Sequence, residues 1–274
     1  MPDADSIYDM PVLYDVLHTP GTSKEVTGLE KIAKRFCQLP ARSDPRRGRA
    51  PVWLEPACGT ARYLRVAARR GYQVRGVDLS EPMLAYAADR FKALGVARRA
   101  RFIPGDITRL DELLPPHSVD FAFNMINSIR HLRSDRDMIS HLNAMARVLR
   151  PGGVYVVGLS LSCYGFEAPT EDIWRGVRGR CRVTQTIQYI PATARQGTSG
   201  RFEQVISHLH VETPARDSHV TTTYSLLSFD LEQWSRTIDR TQMTLEAVVD
   251  EHGRDTPPAE PGYAIYVLRP RTLT

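Results

Sequence analysis

Two kinds of hydrophobic pattern divide the chain. Apolar residues in segment 22–39 recur at intervals of three and four residues, which is typical of an amphipathic helix, and segment 5–18 has a similar pattern interrupted at Pro11. From residue 51 onwards, short apolar runs of strand length alternate with longer stretches that have helical spacing. This alternation predicts a parallel sheet covered by helices on both faces.

The alternating region contains five predicted strands and three predicted helices. Ser80 is a plausible N-cap of the second helix, and Gly95 follows its end. Right-handed crossovers place the carboxyl ends of parallel strands along one edge of the sheet, where open α/β sheets bind their ligands. The predicted strands are 50–55, 72–78, 100–106, 119–126 and 154–161, and the predicted helices are 60–70, 80–94 and 135–149.

The alternation of predicted strands and helices ends after residue 180. Three strand-like runs joined by short polar turns predict an antiparallel meander at 181–229. Asp230 and Gln233 then form a predicted capping box for a helix, and two apolar runs close the chain as a strand pair. These changes predict four parts: an N-terminal helical lid and linker (1–50), an α/β core (51–180), a β insertion (181–229) and a C-terminal helix with closing strands (230–274).

Composition excludes several classes of protein. The 274 residues include 42% apolar and 24% charged residues, as in ordinary globular proteins. No apolar run approaches the roughly 20 residues that span a bilayer, and the acidic start MPDADSIYDM does not resemble a secretion signal. The four cysteines show no paired spacing, so free thiols and a cytoplasmic location are expected.

The charge balance is mildly basic. The net charge is +5 and the isoelectric point is about 9.1, which suits an anionic partner only weakly. The dense cluster Arg42–Arg49 lies in a stretch rich in Pro and Gly and is interpreted as a solvated linker rather than a phosphate-binding element.

The stretch VWLEPACGTARYL carries the clearest chemistry. Glu55 closes the first predicted strand, and small residues from Ala57 to Ala61 lead into the first helix, so a ligand can approach the backbone closely. The helix N-terminus offers N–H groups that favour an anion. Asp78 ends the second strand, where a carboxylate suits ribose hydroxyls, and Asp106 follows the third.

Two kinds of ligand use such an edge. A dinucleotide site needs G-x-G-x-x-G, but the matching positions here are Ala57, Gly59 and Arg62, and a diphosphate would lie next to Glu55. S-adenosylmethionine has no phosphate; its ammonium suits a nearby acid, and its carboxylate suits helix N–H groups or an arginine.

At this point the chain resembles the class I S-adenosylmethionine-dependent methyltransferases. EPACGTAR, GVDLSEPML, GDI and RVLRPGG match that family's motifs in order, with Ala57 and Ala61 in place of glycines. The resemblance implies a doubly wound, Rossmann-like seven-stranded sheet with a reversed C-terminal strand. It also implies S-adenosylmethionine as cofactor, bound by Tyr14, Glu55, Ala57, Cys58, Gly59, Asp78, Leu79, Met83, Asp106, Ile107 and Asn124.

The catalytic candidates border the expected methyl group. His131, after the fourth strand, is the candidate base, and Tyr14 is a candidate from the lid, as is Tyr8. Cys58 is interpreted as a small filler rather than a nucleophile. No metal site is expected, because His208 and His210 on one strand face are too few ligands.

The leading hypothesis is methyl transfer to nitrogen or oxygen of a small molecule, with the insertion as substrate roof or homodimer contact. Methylation of RNA or protein is the alternative, but no nucleic-acid module or aromatic-interleaved basic stripe is visible, so a nucleic-acid partner is not expected. A third hypothesis is cofactor binding without turnover, which the altered glycine motif leaves open.

Overall fold

The computed structural model describes residues 7–38, 49–194 and 200–271. Of the arginine cluster at 42–49, only Arg49 lies among the described residues. The four cysteines are free thiols. None of the helices in the described part of the chain combines the length and the apolar character needed to cross a bilayer.

The main sheet has seven strands, and its C-terminal strand is reversed, as the resemblance implies. The order is β10-β11-β5-β4-β1-β2-β3, in which β11 is antiparallel to both of its neighbours and the other adjacent pairs are parallel. The predicted fold class is therefore confirmed. The strands are β1 (Val52–Pro56), β2 (Gln73–Asp78), β3 (Ala100–Pro104), β4 (Val119–Asn124), β5 (Leu149–Leu161), β10 (Met243–Val249) and β11 (Gly262–Pro270).

Helices cover both faces of this sheet. One apolar layer packs beneath α2, α3 and α4, and the other beneath α5, α6 and α7, so the central strands are buried on both sides. The expected caps are present: the Ser80 hydroxyl accepts from the Met83 N–H, and Asp230 and Gln233 form the capping box of α7. The helices are α1 (Pro11–His18), α2 (Thr22–Phe36), α3 (Arg62–Arg69), α4 (Glu81–Ala93), α5 (Leu110–Leu113), α6 (Asp135–Val148) and α7 (Leu231–Asp239).

A second, antiparallel sheet has four strands and lies in sequence between β5 and α7. Its strands follow the order of the chain: β6 (Thr170–Arg178), β7 (Cys181–Ile190), β8 (Phe202–Thr213) and β9 (Arg216–Leu227). Its inner face buries Val183, Leu209 and Val211 against Ile7 and Val16 of the N-terminal segment. The suggested homodimer contact through this insertion stays a prediction.

The first strand of the second sheet was missed by the sequence pattern, and the sheet begins at Thr170 rather than at residue 181. TEDIWRGVR is rich in charge because β6 is an edge strand with one exposed face, where charged side chains are favoured. Its Gly176 permits close packing of α1, since an added Cβ would lie 2.2 Å from the Val16 carbonyl oxygen.

A buried carboxylate fastens α1 to the rest of the molecule. Asp15 is fully buried, and its oxygens accept from Arg65 at 2.7 Å, Arg178 at 2.6 Å and the Tyr86 hydroxyl at 2.8 Å. Burial raises the pKa of Asp15, but the bonds to the two arginines and Tyr86 outweigh it and lower the pKa to about 2. The N-terminal helix is thus tied to α3, to α4 and to the end of β6.

Candidate active site

A cavity of about 430 Å³ opens at the carboxyl edge of the main sheet, beneath α1 and the inner face of the second sheet. This volume lies within the range of small-molecule sites. Twelve of the thirteen residues predicted for the site line it: Tyr8, Tyr14, Glu55, Ala57, Cys58, Gly59, Asp78, Leu79, Met83, Asp106, Ile107 and His131.

Asn124 is the predicted site residue that the structure places elsewhere. Its side chain is buried, and its amide Nδ2 donates to the Pro56 carbonyl oxygen at 2.7 Å. This bond links the ends of β4 and β1, while the Asn124 Oδ1 atom has no hydrogen-bond partner, so a role of Asn124 in cofactor binding stays a prediction.

Glu55 brings a buried, incompletely paired carboxyl group to the cavity. The residue is 6% exposed, and its Oε2 atom has no hydrogen-bond partner. Burial raises the pKa of Glu55 well above its usual value; Arg62 lowers it and Asp78 raises it further. A cation placed beside this carboxyl group would satisfy it.

Asp78 is held in a fixed orientation by the backbone. One carboxylate oxygen accepts from the Gly59 N–H at 2.7 Å, and the other accepts from the Ser80 N–H at 2.9 Å. Burial raises the pKa of Asp78, while these backbone bonds oppose the shift. The side chain still lines the cavity, so the same oxygens are placed to accept from a diol.

The turn after β1 has left-handed backbone at residues other than glycine. Ala57 and Ala61 have φ of 52° and 54°, and Gly59 between them has φ of 50°. Both alanines bear the steric cost of this conformation, on the order of 1 kcal/mol each. The departures from the family's glycines are therefore small in volume but strain the backbone.

Arg62 is a cavity residue that the sequence analysis did not assign. It is 4% exposed, and its guanidinium donates to Thr22 and forms an ion pair with Glu25. As the first residue of α3 it looked like an ordinary helical surface position. Its burial arises because α2 packs over it, which sequence spacing could not reveal.

Beyond the strand ends the cavity widens into a chamber walled by rings. Trp174, His18, Tyr14 and Tyr8 follow one another with centroid distances of 5.0, 4.4 and 6.0 Å. Tyr224 of β9 continues the series, 6.1 Å from Tyr8. The N-terminal segment and the second sheet together supply this wall, which we call the aromatic chamber.

His131 joins the aromatic chamber from the loop after β4. Its ring lies 5.4 Å from that of Tyr224, and its Nε2 atom is 3.1 Å from the Tyr8 hydroxyl. Removal from water and the neighbouring Arg130 lower the pKa of His131 to about 4. The imidazole is therefore neutral at physiological pH and can accept or donate a hydrogen bond.

Gln185, on the inner face of β7, is a further polar residue of the chamber. It is 2% exposed, its amide Nε2 donates to the Ser207 hydroxyl at 2.8 Å, and its Oε1 has no partner. A fixed and unsatisfied acceptor in a cavity wall favours a ligand that carries an N–H or O–H group.

Cys58 is buried under the turn. Burial raises the pKa of its thiol well above the usual value, and Asp78 and Glu55 raise it further. A thiolate is thus disfavoured, which supports the interpretation of Cys58 as a filler rather than a nucleophile.

Comparison with known proteins shows that similar domains belong to methyltransferases. Residues 54–153 match the family described as "Methyltransferase domain". Over 109 residues the chain is 35% identical to the U6 snRNA (guanine-N(2))-methyltransferase THUMPD2 of Mus musculus, a match covering 39% of this chain and 20% of that protein. The chain spans between 20% and 45% of the length of the first relatives it matches.

Two solved structures share the fold over nearly the whole chain. An S-adenosylmethionine-dependent methyltransferase from Clostridium acetobutylicum has a TM-score of 0.69 at 15% identity, with 97% of each chain covered. The amino pentose methyltransferase CalS10 from Micromonospora echinaspora, solved with S-adenosylmethionine bound, has a TM-score of 0.63 at 20% identity, with 98% of each chain covered.

The cavity fits the cofactor of this family. The unpaired oxygen of Glu55 suits the ammonium, the fixed carboxylate of Asp78 suits a ribose diol, and the buried Arg62 suits a carboxylate. This fit, the match of residues 54–153 and the shared fold support the expected family and its cofactor, S-adenosylmethionine. Residues 54–153 of this chain are similar to the methyltransferase domain family, and the whole described fold is that of solved S-adenosylmethionine-dependent methyltransferases.

Proposed function

We propose that this protein transfers a methyl group from S-adenosylmethionine to an amine nitrogen of a small molecule. The observation that carries the proposal is the division of one cavity into two ends. Acidic residues at the strand ends, Glu55, Asp78 and Asp106, form one end, and the aromatic chamber forms the other. Such a cavity would hold a methyl donor and a compact acceptor side by side, as methyl transfer requires.

At the first end, this chain's residues would bind and orient the donor. Glu55 would pair with the ammonium and Asp78 would accept from the ribose hydroxyls. Asp106 lies at the same edge, and its carboxylate accepts from the Thr108 N–H. Leu79, which is 74% exposed, and the buried Met83 and Ile107 would provide apolar walls for the adenine.

At the second end, the aromatic chamber favours nitrogen over oxygen as the acceptor atom. S-adenosylmethionine when bound supplies an activated methyl group, so the protein must mainly position the acceptor and tolerate developing charge. Ring faces such as those of Tyr14, Trp174 and Tyr224 stabilise a nitrogen that becomes cationic. An alcohol would need a stronger base than His131, whose pKa is about 4.

The neutral His131 then has a positioning role. Its imidazole, beside the Tyr8 hydroxyl, can hold an N–H of the acceptor so that the nitrogen lone pair is directed towards the donor. The solved amino pentose methyltransferase, with the same fold, supports an amine-bearing small molecule as the acceptor.

The assignment of Asp78 is tested by calorimetric titration with S-adenosylmethionine. Asp78→Asn is expected to weaken binding by about 100-fold, because charged hydrogen bonds to the diol are lost and the turn at Gly59 loses its acceptor. Asp89→Asn, an exposed carboxylate on α4, serves as the matched control and should leave the affinity unchanged. Equal affinities for Asp78→Asn and the native chain would remove the ribose assignment.

The assignment of the acceptor end is tested on whichever amine is methylated in a screen with labelled donor. Gln185→Leu is expected to raise the KM for that amine about tenfold, because the acceptor group in the wall is lost. Donor affinity should not change, since Gln185 lies on the second sheet rather than at the strand ends. If Gln185→Leu also weakened S-adenosylmethionine binding about tenfold, the division of the cavity into two ends would be contradicted.

Methylation of RNA is the second candidate, favoured by the match to an RNA methyltransferase over residues of the domain. If the protein methylated RNA in a reaction that weakens steeply with added salt, and did not methylate small amines, RNA would be the substrate instead. Tight donor binding with no product from either class would leave a non-catalytic binding protein.

A further inference from the structure

Three metal-binding groups meet on the outer face of the second sheet. The His210 Nε2 atom lies 2.8 Å from an oxygen of Asp217, and the His219 Nε2 atom lies 3.8 Å from the same oxygen. The two imidazole rings are parallel, with centroids 4.4 Å apart. The cluster lies on the face opposite to the cavity, because its neighbours Leu209 and Val211 point inward to the apolar cluster against α1.

The strand ladder holds these groups in register. His210 of β8 is directly opposite His219 of β9 in a pairing that runs from Phe202 to Thr213 without a shift. Side chains two residues apart share one face of a strand, so Asp217 and His219 point the same way. The sequence showed only His208 and His210 on one strand, which is why no metal site was expected there.

We propose that His210, Asp217 and His219 form a binding site for a divalent transition-metal ion such as Zn²⁺. Two imidazoles and a carboxylate are a ligand set that zinc uses, with further positions left for water. One ligand atom from each residue already lies within 4.8 Å of the others. Ligands of one zinc ion lie no more than about 4.2 Å apart, twice the Zn–N distance, so small rotations of exposed side chains complete the site.

Local charge also favours a cation at this position. Glu212 is directly opposite Asp217 in the ladder, and like charges in that arrangement destabilise a sheet. A guanidinium nitrogen of Arg182 lies 4.0 Å from a carboxylate oxygen of Glu212 and offsets the negative charge of that residue. A cation between Asp217 and the two histidines would offset the second carboxylate and join the ends of β8 and β9.

The test uses the full chain, free of any affinity tag and stripped with a chelator. Zn²⁺ is expected to bind with one-to-one stoichiometry in calorimetric titration and to raise Tm in a saturable way. His219→Ala is expected to lower Zn²⁺ affinity at least tenfold, because one of three ligands is lost. Co²⁺ should give a ligand-field absorption spectrum with the native chain that disappears in this variant.

His208→Ala is the matched control, since His208 lies on the same strand and face but pairs with Thr221. It should bind Zn²⁺ like the native chain. The proposal is overturned if Zn²⁺ does not bind the native chain, or if His219→Ala binds it equally well. It is also overturned if His208→Ala abolishes binding. Unchanged S-adenosylmethionine affinity in His219→Ala would separate this result from the proposed function.

Discussion

Replacement of Glu55 by Gln is expected to weaken S-adenosylmethionine binding on the order of 100-fold while leaving the ligand-free protein at least as stable as the native chain. The loss of affinity follows because a buried charged partner of the ammonium is removed, which costs about 3 kcal/mol in comparable complexes. The ligand-free protein does not suffer this loss, since the Glu55 carboxyl already has an oxygen without a partner.

The pH dependence of stability should also depend on the buried Glu55 carboxyl group. The folded-state pKa of Glu55 is raised, so the folded protein binds more protons than the unfolded chain, and this group's stabilising effect declines as pH rises above its unfolded pKa of about 4.3. Glu55→Gln lacks this titration. We therefore expect the unfolding free energy of Glu55→Gln, measured by denaturant titration, to increase relative to that of the native chain as the pH rises from 5 to 8.

An exposed acid near the same sheet edge provides the control. Glu81→Gln, in the first turn of α4, should change neither the donor affinity nor the pH dependence appreciably. If Glu55→Gln lowered the unfolding free energy of the ligand-free protein by several kcal/mol, Glu55 would have to be a structural residue rather than a ligand-binding one.

Asp15→Ala is expected to produce the largest loss of stability among single substitutions in the N-terminal helices, about 3–5 kcal/mol. The reason is that the buried Arg65 and the half-buried Arg178 lose their common partner, and a buried charge without a partner is costly. The native chain should also lose stability as pH falls below about 3.9 towards 2, since the pKa of Asp15 is lowered to about 2. The variant lacks that contribution.

Two measurements separate a local effect from general damage. Asp89→Ala removes an exposed carboxylate that is paired only with Lys92, and it should alter the unfolding free energy by less than about 0.5 kcal/mol. In Asp15→Ala, limited proteolysis should cut within residues 7–18 before it cuts the main sheet. A variant as stable as the native chain would show that Asp15 does not fasten α1.

Local signals explain what the sequence could reveal. Helix caps at Ser80 and Asp230 depend on residues three positions away, so they are visible in a short stretch of sequence. The sequence could also indicate that Glu55, Asp78 and Asp106 lie close together, because the strand ends of a parallel sheet converge on one edge. Asn124, also at a strand end, does not line the cavity, because its side-chain amide donates to the Pro56 carbonyl oxygen, a contact that the sequence does not reveal.

Long-range packing explains what the sequence could not reveal. Tyr8, Trp174 and Tyr224 are far apart along the chain, and only the docking of the second sheet on the N-terminal helices brings their rings together. The edge strand β6 has no clear alternation because most of it is exposed, and Gly176 is its one buried residue. His219 likewise becomes a neighbour of His210 only through the register of β8 and β9.

The two walls of the cavity come from separate stretches of the gene product. In the proposed function, residues 54–153 provide most of the donor wall, whereas residues 7–18 and 170–227, together with His131, provide the rings that would meet the acceptor. Tyr14 lies beside the turn at Gly59, but substitutions at the other ring residues of the second group would leave the proposed donor contacts in place. Under the proposed function, the similarity of residues 54–153 to other methyltransferase domains would therefore indicate the methyl donor but not the acceptor.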